Sequence, residues 1–379
     1  MRRLLAIPVA SLALALAAAT PAPAVAAPTA TMEPGIVQSA NYPADEAEIA
    51  HGLGARWVRL FARFSQGCPL PPHEAARLDA YERRGIKVLV VGTGGSAGDF
   101  SPPANPQEYA RWMACLASTY GSRIDAFEIW NEPDEKTFWS GGPNPAAYAS
   151  VLKAAHAAIK AVRPDAPVVL GGLTGNNFAF LEKVYAQGAK GSFDAVGVHT
   201  DTACLISDPN SYYREPDGRI GRFSFTGYRE VRHVMTSHGD DKPIWMTEIG
   251  WSTLTSKCAH PGVTVDRPSG VSQDKQAEYL RKAYACVAAE DYIGPVLWFS
   301  LRDAGTGNQY DQHLGLMDHA GNPKKALHAF RDLFAPGAAG VTADPRCGAR
   351  LDKDRPEVTI EVPSQYYSRL VVAGAASRL

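Results

Sequence analysis

Short apolar segments alternate with longer amphipathic segments between about residues 35 and 334 of this 379-residue chain. This alternation is typical of repeated strand–helix units, in which each buried strand is followed by a helix that covers it. Eight strands are predicted, at 35–38, 57–60, 86–91, 124–130, 168–173, 193–199, 244–247 and 296–301. Eight parallel strands favour one closed barrel, because such a barrel typically needs about 250 residues.

The amphipathic segments between these strands predict helices, for example at 74–84, 106–120, 145–162, 272–289 and 324–333. Several of them begin at Pro or Ser and end near Gly or Pro, as helices commonly do. The predicted fold is therefore α/β, a (β/α)8 TIM barrel over residues 34–334 with a short C-terminal extension. A doubly wound open sheet is the structural alternative.

Two further segments lie outside the regular alternation. The longest insertion, 201–226, follows the sixth predicted strand and is expected to form a loop on the rim of the barrel. In the tail, 335–379, segments 358–362 and 370–372 predict one small hairpin. About 45 residues are too few for a substantial second core, so we expect the tail to pack on the barrel with Cys347 as its anchor.

The N-terminal segment predicts export. Arg2 and Arg3 precede an apolar run over 4–19, and Ala24-Val25-Ala26 supplies a small-residue cleavage pattern, which together indicate a signal peptide over residues 1–26. Pro8 breaks this run, Pro21 and Pro23 follow it, and no later run of about 18 apolar residues occurs, so membrane insertion is not expected. The sequence therefore predicts a secreted, extracellular protein.

The charge balance narrows the class of partner. The chain has 38 Lys and Arg against 39 Asp and Glu, and removal of Arg2 and Arg3 leaves 36 − 39, a net charge of −3. So mild a charge does not favour nucleic acid or an anionic membrane as a partner.

The cysteines favour disulfides. None of the six forms a C-x-x-C pair, so the spacing typical of zinc and redox sites is missing. In an exported protein disulfides are the expected state, but six cysteines allow 15 connectivities. Cys204 and Cys258 fall in consecutive predicted loops, and we expect them to pair.

Two glutamates carry the candidate chemistry. Glu132 ends the apolar segment Phe127-Glu128-Ile129-Trp130-Asn131-Glu132, and Glu248 ends Pro243-Ile244-Trp245-Met246-Thr247-Glu248. Glutamate is disfavoured in strands and costly to bury, so two at strand ends suggest side chains directed into one cleft. A pair of carboxyl groups facing one cleft is the apparatus of glycoside hydrolysis.

Both segments resemble motifs of a known enzyme group. Trp130-Asn131-Glu132-Pro133 resembles the fourth-strand motif of the clan A retaining glycoside hydrolases, and 247–253 is similar to their seventh-strand motif. The resemblance implies Glu132 as general acid/base and Glu248 as nucleophile. It is nearest to bacterial family 39 and family 5-like polysaccharide hydrolases, and it covers almost the whole barrel region.

The resemblance also implies supporting residues. The segment 55–59 looks like the second strand, whose arginine contacts the nucleophile, and this role falls on Arg59, with Arg63 as the alternative. Trp298 matches the eighth-strand aromatic residue that forms the floor of the sugar subsite. Asn131 is placed to bond a sugar 2-hydroxyl. A departure occurs at His199, which is followed by Thr where many relatives have Pro or Tyr.

Alternatives remain for single residues. His199 and Trp251 are candidate sugar contacts, but each is equally a candidate for an ordinary core role. A metal site would require His199 and Asp201 with the two glutamates, and no H-x-H or H-E-x-x-H motif supports it. The glycine-rich segment 92–98 fails the dinucleotide fingerprint, so no nucleotide or other cofactor is expected.

These patterns together predict a secreted retaining O-glycosidase that hydrolyses a poly- or oligosaccharide by double displacement, without metal or cofactor. The alternative is a barrel that binds glycan without cleaving it. The two glutamates argue against the alternative, because a pure binding protein has no need for a pair of costly carboxylates.

Overall fold

The computed structural model of the protein describes residues 31–38, 45–94, 99–200, 208–260, 263–268, 270–348, 350–351, 358–360 and 370–372. The predicted signal peptide lies outside the described residues. The same holds for Cys204, and therefore for the predicted Cys204–Cys258 pair.

Eight parallel strands close into one barrel, which confirms the predicted fold and rules out the open sheet. Each strand pairs with its neighbours along the chain, and the last pairs with the first through Val37 and Phe299. The strands are β1 (Glu33–Val37), β2 (Trp57–Arg63), β3 (Lys87–Thr93), β4 (Ala126–Ile129), β5 (Val168–Leu173), β6 (Ala195–His199), β7 (Ile244–Ile249) and β8 (Ile293–Phe299).

Helices alternate with these strands and cover the barrel. They are α1 (Glu46–Gly52), α2 (Pro72–Glu82), α3 (Pro106–Tyr120), α4 (Pro145–Val162), α5 (Phe178–Ala186), α6 (Tyr228–Ser237), α7 (Gln273–Val287) and α8 (Lys325–Phe334). The α3 and α4 helices begin alike, with a capping Asn followed by Pro in the first turn, and their bounds match the sequence prediction. Among the described helices, none is both long and apolar enough to cross a membrane.

Side chains alternate along each strand between the barrel interior and the helices. An inner cluster includes Trp57, Leu89, Trp245 and Leu297, whereas their strand neighbours join the larger core beneath the helices. Trp57 and Trp245 meet edge to face with centroids 5.0 Å apart. The inner cluster fills the interior below the carboxyl ends of the strands, so polar groups there stand on a packed apolar base.

Disulfides fasten two segments to the barrel. Cys68, which follows β2, is bonded to Cys115 in α3, and Cys286 in α7 is bonded to Cys347 in the C-terminal segment. The predicted anchoring by Cys347 is thus confirmed.

Within the described ranges, three short strand pairs lie outside the barrel. In the tail, Val358–Ile360 pairs antiparallel with Leu370–Val372. Arg350–Leu351 pairs with Ser211–Tyr212 in the insertion after β6, and Lys257–His260 pairs with Val263–Pro268 after β7.

Candidate active site at the carboxyl ends of the strands

Glu132 and Glu248 reach the site in different ways. Glu248 is the penultimate residue of β7, whereas Glu132 lies three residues beyond the end of β4. The backbone there is left-handed at Trp130 (φ 71°) and at Glu132 (φ 45°), a conformation uncommon for residues other than glycine. The buried Trp130 ring holds this turn, because its Nε1 donates to the carbonyl of Phe138 at 2.5 Å. The turn directs Glu132 into the cleft.

The two glutamates meet at His199, which ends β6. Nδ1 of His199 lies 2.6 Å from Oε1 of Glu132, and its Nε2 lies 3.6 Å from Oε1 of Glu248. One carboxylate oxygen of each glutamate and a ring nitrogen of His199 all lie within 4.8 Å of one another. The histidine is buried, but the glutamate side chains keep 14% and 17% of their surface exposed. Solvent or a ligand can therefore reach both carboxyl groups.

Arg59 anchors Glu248 from below. Its Nη1 donates to Oε1 of Glu248 at 2.6 Å, and its Nη2 donates to Oδ1 of Asn131 at 2.8 Å. The guanidinium is fully buried, yet the charges of two carboxylates raise its pKa overall, against the lowering effect of burial. Arg59, not Arg63, thus occupies the position that the resemblance assigns to the strand-two arginine.

Glu128 is a second buried partner of Arg59 that the sequence interpretation did not single out. Arg59 donates to it through Nε at 2.6 Å and through Nη2 at 3.2 Å. The backbone N–H of Gly172 (2.8 Å) and the hydroxyl of Thr247 (3.2 Å) also donate to Oε1 of Glu128. Glu128 therefore fixes the orientation of the guanidinium. Its signal in the sequence was a charged residue inside a four-residue strand that is otherwise apolar.

Asp134 supports the loop that carries Glu132. Its buried carboxylate accepts from the backbone N–H of Thr174 at 3.1 Å and from Nδ2 of Asn177 at 2.7 Å, and Arg222 lies 3.5 Å away. These partners tie the loop after β4 to the segments after β5 and β6. Asp134 also places a negative charge near Glu132.

The electrostatic environment favours a proton on Glu132. Burial is the main cause that raises its pKa well above the usual value, and the charges of Asp134 and Glu135 add to the rise. Burial also raises the pKa of Glu248, but His199 and Arg59 oppose that rise. Burial and the neighbouring acids therefore favour the protonated form of Glu132.

Trp298 and Trp251 do not face the cleft, and these two predicted sugar contacts are wrong. Both rings are entirely buried, and they lie 6.0 Å apart in the core between barrel and helices. Nε1 of Trp298 donates to the carbonyl of Leu314 at 2.9 Å. The side-chain alternation along β8 explains the error: Leu297 and Phe299 point inward, so Trp298 points outward.

The described residues contain one group with metal-ligand geometry, formed by Glu132, His199 and Glu248. The guanidinium of Arg59 already bonds Glu248 and holds a positive charge beside the group. That charge repels a cation at the same place, whereas it stabilises the ionised form of a neighbouring carboxyl group. The site therefore suits acid–base and nucleophilic chemistry.

Known proteins resemble this one in structure but not detectably in sequence. No family model and no curated protein matches the sequence. A family 39 glycoside hydrolase from Bacteroides cellulosilyticus WH2 superposes with a TM-score of 0.64 at 20% identity, over 79% of this chain and 62% of that one. A monomeric β-xylosidase from Caulobacter crescentus CB15 gives 0.57 at 19% identity, over 81% and 69%.

Fungal β-1,4-galactanases also share the architecture, with a TM-score of 0.53 at 16% identity over 76% of this chain and 90% of theirs. These similarities confirm the expected resemblance to family 39 and related clan A barrels at the level of the fold. The chain spans about three fifths of the length of the family 39 hydrolase.

Proposed function

We propose that this protein is a secreted retaining O-glycosidase in which Glu132 is the acid/base and Glu248 the nucleophile. One observation carries the proposal: a carboxyl group with a raised pKa faces a second carboxylate that a buried arginine holds in place. Catalytic pairs commonly consist of two titratable groups whose surroundings favour different protonation states. The barrel shared with glycoside hydrolases supports the same reading.

In the first step, protonated Glu132 gives its proton to the glycosidic oxygen as the bond to the leaving sugar breaks. A carboxylate oxygen of Glu248 attacks the anomeric carbon and forms a glycosyl ester. Arg59 keeps Glu248 ionised and oriented until this attack. The negative charge of Glu248 is consumed when the ester forms.

In the second step, Glu132 acts as a base. It has lost its proton, and it takes one from the water that attacks the anomeric carbon. The ester bond breaks, Glu248 regains its charge, and the sugar leaves with its original anomeric configuration. Asn131 is held by Arg59 through Oδ1, which leaves its amide N–H groups to donate to a sugar hydroxyl.

The short separation of the carboxyl groups supports retention. Retaining enzymes place them about 5–5.5 Å apart, whereas inverting enzymes need about 6.5–9.5 Å to admit a water molecule. Here a carboxylate oxygen of Glu132 lies within 4.8 Å of a carboxylate oxygen of Glu248. The gap therefore suits direct attack by Glu248.

Poly- or oligosaccharides are the proposed substrates. The structural neighbours described above include a β-xylosidase and β-1,4-galactanases, all named for action on glycosides. The disulfides Cys68–Cys115 and Cys286–Cys347 support an oxidising, extracellular location, where such polymers occur.

The test is release of reducing ends from a panel of polysaccharides and oligosaccharides by the wild-type protein, Glu132→Gln and Glu248→Gln. We expect release by the wild type and a loss of at least about 1,000-fold in Glu248→Gln, since that variant lacks the carboxylate that forms the ester. If the wild type and both variants release nothing yet bind a glycan equally, the protein is the non-catalytic glycan-binding barrel instead.

A further inference from the structure

Phe61 is an exposed aromatic residue beside Arg59, the residue that bonds Glu248. It keeps 37% of its surface exposed, and within the described residues Val162 is the only other large hydrophobic side chain that is exposed to this extent. Val162 ends α4 on the outside of the barrel, whereas Phe61 belongs to β2. An exposed apolar ring at the carboxyl end of a barrel strand lies where ligands bind in this fold.

The alternation along β2 places the Phe61 ring over the cleft. Trp57 belongs to the inner cluster, and Arg59, two residues later, reaches Glu248 and Glu128 inside the barrel. Phe61, two residues later again, faces the same side. Its ring centroid lies 4.8 Å from Cζ of Arg59, whose Nη1 bonds Glu248 at 2.6 Å. The ring therefore stacks against the guanidinium that holds Glu248.

Five other aromatic residues near the strand ends do not offer such a surface. Trp130, Trp139, Trp251, Trp298 and Tyr213 are all buried. At this end of the barrel, Phe61 can therefore offer an aromatic face to a sugar, and the buried tryptophans cannot.

We propose that Phe61 is a sugar platform, on which the apolar face of a pyranose ring packs while its anomeric carbon approaches Glu248. This inference rests on the proposed glycosidase function and adds a substrate-binding residue to it. One face of a pyranose chair presents C–H groups, which pack against the face of an aromatic ring with burial of apolar area on both sides. A puckered furanose offers a smaller flat face, so pyranosides are the preferred class.

Steady-state kinetics on the best substrate from the panel tests the platform, with Phe61→Ala, Phe61→Tyr and Val162→Ala compared with the wild type. We expect Phe61→Ala to lower kcat/KM about 5- to 30-fold, mainly through a higher KM. Phe61→Tyr keeps the ring and should stay within about 3-fold of the wild type. Val162→Ala removes exposed apolar surface far from the cleft and should change nothing.

The pH profile separates a platform from indirect support of Arg59. A platform leaves the pH dependence of kcat/KM in Phe61→Ala unchanged, whereas a displaced Arg59 would move its acidic limb. Normal kinetics in Phe61→Ala, or a moved acidic limb, would overturn the platform while the glycosidase proposal stands. A wild-type protein that cleaves no glycan would overturn both, and thermal unfolding of each variant shows that the fold is intact.

Discussion

Nδ1 of His199 lies 2.6 Å from Oε1 of Glu132, although 67 positions separate the two residues in the sequence. Burial lowers the pKa of His199, so its ring is neutral near neutral pH and carries one N–H. A protonated Glu132 can then donate to Nδ1, with the N–H on Nε2 directed towards Glu248, 3.6 Å away. This is the protonation pattern that the first step of the proposed reaction requires.

Replacement of His199 should therefore change the alkaline limb of the pH–rate profile. In His199→Ala, Glu132 loses its acceptor and gains water, and both changes lower its pKa. We expect the alkaline limb of kcat/KM to move to lower pH, with a loss of about 10-fold or more at neutral pH. His73→Ala, at an exposed position on α2, is the control. An unchanged alkaline limb would show that His199 does not hold the proton of Glu132.

Loss of Arg59 should destabilise the fold in a pH-dependent way. In Arg59→Met, the buried carboxylate of Glu128 and the partly buried carboxylate of Glu248 lose their shared cation, and we expect a loss of about 3–5 kcal/mol at pH 7. The loss should be smaller at pH 5, because protonation removes the uncompensated charge. Urea denaturation at both pH values measures the difference.

The matched control for this variant is Arg123→Met, which breaks the exposed pair of Arg123 with Asp79. Exposed pairs contribute about 1 kcal/mol or less, so little change is expected at either pH. If Arg59→Met lowers the free energy of unfolding no more than Arg123→Met does, the ion pairs of Arg59 are not what holds Glu248.

Much of this site could be predicted from the sequence because its signals are local. Glu132 and Glu248 are acidic residues at the ends of apolar segments, and each segment ends a strand of the barrel. The inward direction of Arg59 follows from the period of two along β2. These features depend only on neighbouring residues, which a single sequence displays.

The remaining features depend on choices that the sequence does not display. Trp298 and Phe299 are both apolar, so nothing local decides which of them faces inward. The answer depends on how β8 pairs with β1, where Val37 lies opposite Phe299. The role of Glu128 likewise depends on Arg59, 69 positions away.

Glu46 should make stability depend on pH. Burial raises its pKa to about 7 from an ordinary value of 4.5, against the lowering effects of Gln38 and Arg302. Between pH 4.5 and pH 7, the folded state therefore holds a proton on Glu46 that the unfolded state has already lost. The free energy of unfolding accordingly falls as the pH rises over this range. Above pH 7 the full cost of burying the charge applies, about 3 kcal/mol.

Glu46→Gln removes that cost. We expect it to be more stable than the wild type by up to about 3 kcal/mol at pH 8 and equal to it at pH 4. Glu48→Gln, two residues along the same helix and exposed, should change stability by about 1 kcal/mol or less. Chemical denaturation at the two pH values measures this, and a gain that is the same at pH 4 and pH 8 would refute the assignment.

The Cys286–Cys347 disulfide should contribute to stability by closing a loop in the unfolded chain. A sequence separation of 61 residues corresponds to about 4 kcal/mol in the chain-entropy treatment. We expect the double variant Cys286→Ala, Cys347→Ala to unfold at a lower temperature than the wild type. On addition of reductant, its melting temperature should fall less than that of the wild type. Equal melting temperatures for variant and wild type under oxidising conditions would contradict this role.

The anomeric configuration of the first product tests the central claim most directly. Proton NMR of a reaction in progress distinguishes the α- and β-anomers before mutarotation mixes them. Direct attack by Glu248 followed by water predicts that the first sugar released has the configuration of the substrate. Release with the opposite configuration would mean that water attacks in a single step, and it would contradict the assignment of Glu248 as nucleophile.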